Sequence, residues 1–529
     1  MKSCTLAALL SILFSQAGIG GSAQWSATPT SSDWNTAANW VPNTVPNGPD
    51  DIATFGRSRT TVVTVSSDVQ VSEIVFSRRA SAYSIAPAND TTNLTVSGGG
   101  VINNSTIEQN LGGVVGPSSE SYLIFDGSST SGVLTTITQS FSFTETSSAS
   151  TSSFVLGDAF NPSLFGDSAT AANATFDVSN NGIIFSNTST AAEAIFTLHG
   201  TTGDLLGGVA QFQDTATAGS AIFNIEGATS AGANGRGGVL FETSSTAESA
   251  SIAAKGGTNG GAGGYVTFSD SSSGGRASIT VLGNATLDNV GHHTVPPLAI
   301  GSLAGSGIVL IGKNSLKVGT NSHDAVFSGT IQDSGGGGGG ITKVGSGAWT
   351  LGGANSYLGG TFVSDGTLLV TNTTGSATGP GPVQVGSGTL GGSGIIGSAL
   401  VLGDSQPSNG VVAPSAGGNA PTHLTVLGTL TFQFDGTYVC QIDPKQRSAD
   451  MITANGVLIS PGALFNLNSP TNVRLHTGSA FTIIDNTAAT AISGTFSNLA
   501  DGASIRLGKN TYLASYEGGD GNDLVLTAQ

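Results

Sequence analysis

Apolar and polar positions alternate along this chain in short bursts, each cut off by glycine or by small polar residues. The pattern is clearest at 341–370 and just after it. Leu368 and Val370 fall on one face of an extended segment, as do Val383 and Val385. No segment keeps the three-four apolar spacing of a helix over a useful length. The punctuation recurs so often that each strand spans only about 4–6 residues. Six glycines at 335–340 lead into this stretch. Many short strands with glycine corners, and no helices to cross between layers, predict a coil stacked on itself.

The middle of the chain carries a degenerate repeat of the same kind. Phe185, Phe212, Phe241 and Phe268 each close a short apolar strand and recur at nearly constant spacing. A second strand follows in step: Ala194-Ile195-Phe196, Ala221-Ile222-Phe223, Ala250-Ser251-Ile252 and Ala277-Ser278-Ile279. Stacked coils place equivalent residues above one another about 4.8 Å apart. The phenylalanines therefore predict an internal ladder rather than a ligand groove.

Within 341–370 the order of residues is also specific. It runs Thr342-Lys343-Val344-Gly345-Ser346-Gly347, Trp349-Thr350-Leu351, Gly353-Ala354-Asn355-Ser356-Tyr357, Gly359-Gly360-Thr361 and Gly366-Thr367-Leu368-Leu369-Val370. This stretch resembles the autotransporter-associated β-strand repeat, also called the passenger-associated transport repeat. Thr389-Leu390-Gly391-Gly392-Ser393-Gly394 and Ala413-Pro414 continue the resemblance. Asp365 and Ser415 depart from the residues usual in that family. The resemblance implies a secreted bacterial β-helix and no catalytic residue. Pattern and resemblance together give an all-β fold, a right-handed parallel β-helix (β-solenoid) with an N-terminal cap.

The borders inside such a fold are soft. A signal peptide is expected at 1–23 and the cap with the first strands at 24–98. Degenerate coils of about 27 residues follow at 99–290. The β-helix with the repeat is expected at 291–460, and C-terminal coils with a cap at 461–529. Lys2, the apolar run 6–14 and Gly21-Ser22-Ala23 supply the three parts of a secretory leader. Its apolar run is too short to span a membrane, and no transmembrane segment is expected after its removal. Only Cys440 then remains. In Tyr438-Val439-Cys440-Gln441-Ile442 it alternates with apolar neighbours, which predicts a buried thiol.

A formal charge of −17, from 16 basic and 33 acidic residues, argues against nucleic acid as a partner. Charged residues make up only 9% of the chain, which leaves little material for acid–base chemistry. Trp25, Trp34 and Trp40 cluster near the start. They read as a cover over the open first coil, with sugar stacking on Trp34 and Trp40 as the functional alternative.

Gly518-Gly519-Asp520-Gly521-Asn522-Asp523-Leu524-Val525-Leu526 fits the calcium nonapeptide GGxGxDxUx and makes Asp520 and Asp523 the candidate Ca²⁺ ligands. A single copy fits a closing turn better, so no cofactor is expected. The densest charged stretch, Asp443 to Asp450, reads as a solvated turn, and His292-His293 as a surface loop. Two GxGxxG matches, from Gly386 and Gly392, open no helix and hold no pyrophosphate.

These readings predict a secreted, non-enzymatic, passenger-like protein for adhesion, extracellular matrix or cell-surface structure. Its address would be extracellular or surface-associated in a bacterium, with the periplasm as the other option, and its partners surface glycans or matrix proteins. A β-helical polysaccharide lyase or hydrolase is the alternative, requiring charged groups that converge from adjacent coils. A carbohydrate-binding module is the lesser one. No series of ten-residue amphipathic strands precedes Gln529 to build the translocator barrel of the resembled family.

Overall fold

Strands of three or four residues bury every second side chain, and this alternation sets the architecture. In Gly182–Phe185, Val209–Phe212 and Tyr265–Phe268 the second and fourth residues point inward. The computed structural model describes residues 21–529 except 114–121, 158–160, 203–205, 233–234, 293–294, 335, 405 and 407–408. Residues 1–20 of the expected leader, with Cys4, lie outside the described residues, as do Gly335 and His293. The fold is an all-β solenoid of mostly parallel strands over about 16 turns.

Two long sheets run beside each other. The first stacks from Ala23–Trp25 to Thr330–Asp333. The second climbs by parallel pairings from Val62–Val65 to Leu464–Asn468. It stays open, because those end strands pair with Ser84–Pro87 and Gly436–Asp443 rather than with each other. In the early coils the third side is a column of single parallel bridges, Thr130–Ser148–Thr170–Thr190–Thr217–Thr246–Ser273. From Leu298–Ile300 to Val457–Ile459 that side becomes a third sheet of eight strands. No helix of the described residues is long and apolar enough to cross a membrane.

The repeat predicted from spacing falls in register. Phe185 pairs with Phe212, Phe212 with Phe241 and Phe241 with Phe268 on the first sheet. On the second, Phe196 pairs with Phe223, Phe223 with Ile252 and Ile252 with Ile279. The ladder also reaches further toward the N-terminus than the constant spacing suggested. Phe125, Phe143 and Phe165 stack beneath Phe185 at 4.5–4.9 Å between ring centroids.

Turn chemistry keeps the coils in step. Two residues after each ladder phenylalanine the backbone turns left-handed, at Gly127, Glu145, Asp167, Asn187, Asp214, Thr243 and Asp270 (φ 48–65°). Asp214 Oδ2 accepts the Asn187 N–H at 3.0 Å and Asp270 Oδ2 accepts the Thr243 N–H at 3.2 Å, each across one coil. Asn and Asp are among the non-glycine residues that best tolerate αL, and here the carboxylates of Asp214 and Asp270 also tie one coil to the next. At the next corner Thr170, Thr190 and Thr217 accept the N–H two residues on, at 3.0 Å each.

Both ends are capped by antiparallel pairing, which stops the parallel stack at short edge strands, Trp40–Val41 and Ser504–Leu507. At the start, Ala23–Trp25 pairs with Trp40–Val41. At the finish, Ala480–Asn486, Asp523–Ala528, Asn510–Gly518 and Ser504–Leu507 pair antiparallel in turn.

Candidate functional site

The N-terminal tryptophans face inward. Trp34 and Trp40 are 0% exposed, so neither offers a ring face for a sugar, and the expectation of glycan contact at these two residues is corrected. Their centroids lie 5.0 Å apart, and both pack on Phe55 at 5.6 Å. Each indole finds a carbonyl: Trp34 Nε1–H donates to Pro46 at 2.9 Å and Trp40 Nε1–H to Trp34 at 2.7 Å. A buried indole with its N–H satisfied is a packing element.

Asp520 sits in the turn of an antiparallel hairpin and Asp523 opens its second strand, so the two do not come from stacked parallel turns. Asp523 Oδ1 is occupied by the Asn486 N–H at 2.9 Å. Burial raises its pKa, and Asp485 and Asp520 nearby push the same way. Among the described residues no three His, Cys, Asp or Glu side chains are grouped to hold a metal.

The distinctive residues of 341–370 pin coils together. Lys343 is 1% exposed, and its ammonium donates to the carbonyls of Val344, Gly345 and Asp365 at 2.8, 2.7 and 3.2 Å. Burial holds its pKa below the ordinary lysine value, against the pull of Asp365 and Asp324. Trp349 Nε1–H donates to Leu303 at 3.0 Å, across 46 residues of chain. Asn355 accepts the Ile331 N–H at 2.7 Å and donates to Ala377 at 2.5 Å, bridging the coils on either side. Tyr357 and Thr361 share a buried 2.6 Å hydroxyl contact.

Two other expectations need correction. The charged stretch 443–450 does turn, through the pairing of Ile442 with Ala449 and Asp443 with Ser448. Its ends, however, are buried, Asp450 completely. The Asp450 carboxylate accepts from Ser415 Oγ at 2.8 Å and from the N–H groups of Thr422 and Gln441 at 2.7 and 2.9 Å. This gives the departure at Ser415 a physical role, since glycine has no hydroxyl to donate. His292, expected on a surface loop, is 3% exposed with Nε2 3.0 Å from the Ser272 carbonyl. Cys440, by contrast, is fully buried as the alternation predicted, and burial pushes its thiol pKa up.

One charged row escaped the sequence reading. His199, Glu226 and Lys255 each follow a second-sheet strand by one residue, so stacking puts them in one column. His199 Nδ1 lies 2.8 Å from Glu226 Oε2, and Nε2 lies 3.0 Å from Asp177 Oδ1. Lys255 Nζ stands 3.8 Å from the other Glu226 oxygen. Burial lowers the imidazole pKa, but the hydrogen bonds to Glu226 and Asp177 outweigh it and the net shift is upward. Two carboxylate partners call for two ring N–H donors, which is imidazolium. With both nitrogens engaged, His199 has none left to take a substrate proton.

Behind this row the chain makes three stacked glycine-rich excursions. Each is closed at its neck: Gly208 N–H donates to His199, Gly237 to Glu226 and Gly264 to Lys255, at 2.8–2.9 Å. Gly200, Gly227 and Gly257 allow the loops to touch backbone to backbone. A Cβ on Gly200 would meet the Gly227 carbonyl oxygen at 1.9 Å, and one on Gly227 the Gly257 nitrogen at 2.4 Å.

One family model and two known proteins are similar to parts of this chain. Residues 341–370 match the family described as Passenger-associated-transport-repeat. The chain is therefore a β-solenoid that carries this repeat and is similar, in that stretch, to autotransporter passengers. The Adhesin BmaC autotransporter of Brucella suis biovar 1 (strain 1330) is 31% identical over 177 residues, which is 32% of this chain and 5% of that protein. The chain thus spans a small part of the curated relative it matches. The crystal structure of the Haemophilus influenzae Hap adhesin aligns with 92% of this chain and 65% of its own, at 10% identity and a TM-score of 0.32.

Proposed function

We propose that this protein is a secreted, non-enzymatic, passenger-like scaffold acting in adhesion at a bacterial surface or in the extracellular matrix. The observation that carries the reading is the repeat at 341–370, whose distinctive side chains are spent on holding coils together. Lys343, Trp349, Asn355 and Tyr357 face their own backbone or core, not a substrate. The printed name of the matching curated relative, an adhesin, supports the same reading. So does the charged row, in which Asp177, His199, Glu226 and Lys255 pair with one another.

A long rigid solenoid suits this work because each coil contacts only its neighbours and leaves a continuous flank for contact. Surface glycans or matrix proteins are the partners proposed, outside the cell. The test uses purified protein 24–529 on immobilised matrix proteins, on cultured cells and on a polysaccharide panel, with and without Ca²⁺. Saturable retention with no new chain ends supports the scaffold. Time-dependent release of new ends, or retention by none of the surfaces, overturns it.

A further inference from the structure

The outer face of the third sheet holds a groove of about 450 Å³ across the repeat itself. Ligand sites for small molecules and short chains fall in this size range. Its floor is the outward column Thr342, Phe362, Gln384 and Val401, one residue from each successive strand. Four strands at about 4.8 Å spacing make an elongated trough rather than a round pocket.

Phe362 is the unusual member. It puts a partly exposed aromatic ring at an outward strand position, where the rest of the column is Thr, Gln and Val. It lies against Gly386, where an added Cβ would come within 2.9 Å of the ring. Any side chain at 386 would therefore displace the ring or cover it. The rim opposite is backbone alone. A Cβ at Gly359 would meet the Gly338 carbonyl oxygen at 2.2 Å, and one at Gly340 the Gly360 carbonyl oxygen at 2.7 Å. Glycine there lets successive turns pack backbone to backbone, and Pro382 also lines the groove.

No ionisable side chain lines the groove among the described residues. The Asp404 carboxylate also stands against Gly386. Lys317, one coil before Thr342 in the same column, lies outside the lining. The lining itself therefore offers a charged ligand no ion-pair partner, although Asp404 and Lys317 stand beside it. An uncharged one with a flat apolar face and many hydroxyls would find the ring for its face, and for its hydroxyls the Thr342 hydroxyl and the Gln384 amide, whose Nε2 also reaches the Gly403 carbonyl at 3.3 Å.

We propose that the trough over the repeat, floored by Thr342, Phe362, Gln384 and Val401, binds a neutral polysaccharide lengthwise. The proposal deepens the adhesive reading and rests on it for its biological use, but not for its chemistry.

The test is isothermal titration and affinity electrophoresis of the whole chain 24–529. The probes are soluble β-glucan, galactan and mannan, with polygalacturonate as the acidic control. Phe362→Ala removes the ring from an outward position, and Thr342→Arg fills the floor; circular dichroism and thermal melting check that each variant stays folded. The expected result is binding of at least one neutral probe, weakened about ten-fold or more by either folded variant, with polygalacturonate unbound. Three results overturn the groove: no neutral probe bound at millimolar oligosaccharide, unchanged binding by both variants, or stronger binding of polygalacturonate. Cell retention separates the two readings. Variants that lose glycan yet adhere like the unaltered chain remove the groove from adhesion, whereas glycan binding without any cell retention removes adhesion and leaves the groove.

Discussion

Phe185 and Phe212 stand a full coil apart along the chain, yet their rings lie face to face, with centroids 4.7 Å apart and planes within 7°. Neither ring could be buried this way within its own coil, since each needs the coil above or below for its face. Stability therefore lives mainly between coils. Phe212 also meets Phe241 at 5.0 Å and the edge of Phe223 at 5.9 Å.

Replacing Phe212 with alanine should remove three ring contacts at once and cost about 3–5 kcal/mol. Leucine at the same position should recover part of this. Urea unfolding followed by hydrogen exchange would locate the loss, which is expected in the coils around 182–254 and not at the two caps. Equal loss of protection along the whole chain would contradict nearest-neighbour stability.

Trp40 offers the matching test at the N-terminal end. Trp40→Ala should destabilise the first coils by about 3–5 kcal/mol and expose the neighbouring indoles to acrylamide quenching. In the unaltered protein, quenching of Trp25, Trp34, Trp40 and Trp349 should be slight, because all four are at most 1% exposed. Glycan should leave the tryptophan emission unchanged.

The His199 row gives a pH dependence. The folded-state pKa of His199 is raised, so its contribution is fully present below the unfolded value of about 6.5. It is lost as pH climbs through the higher folded value. The stability gap between the unaltered chain and His199→Gln should therefore be larger at pH 6 than at pH 8.5. Because the row is partly solvated, the gap should be only about 0.2–1 kcal/mol and should shrink in high salt. Denaturant melts at the two pH values check it.

Cys440 should be inert while the protein is folded. It is fully buried, with its pKa pushed up by burial first and by Asp450 second. A thiol held in its protonated form is a poor nucleophile. Ellman's reagent should label it only after denaturant is added, and fast labelling in buffer would contradict the core placement.

The sequence makes the fold legible wherever a large apolar residue recurs at nearly constant spacing, as from Phe185 to Phe268. It loses the ladder from Phe125 through Phe143 and Phe165 to Phe185, where shorter and uneven steps hide it although the rings stack just as closely. Register is set in space by the strands, while loops absorb the difference in length. For the same reason Asp177, His199, Glu226 and Lys255, drawn from four successive coils, spell no linear motif. The thiol at Cys440 was readable from alternation. Burial of Lys343 and Asp450 was not, because Lys343 is satisfied by carbonyls of its own turn and of Asp365, and Asp450 by Ser415, Thr422 and Gln441, partners that spell no motif. Phe362 was equally silent, since only the empty place at Gly386 gives its ring meaning.

The necks beneath the three glycine-rich excursions have a wider consequence. Hydrogen bonds from Gly208 to His199, Gly237 to Glu226 and Gly264 to Lys255 insulate the strands from whatever the chain does beyond them. Doubling a flexible loop adds only about 0.6 kcal/mol of closure entropy. Insertions past these points would thus be carried as cargo on a frame whose pitch does not change. The flank beside His199 is a natural place for sequence to diversify, and for a foreign peptide to be grafted and held outward.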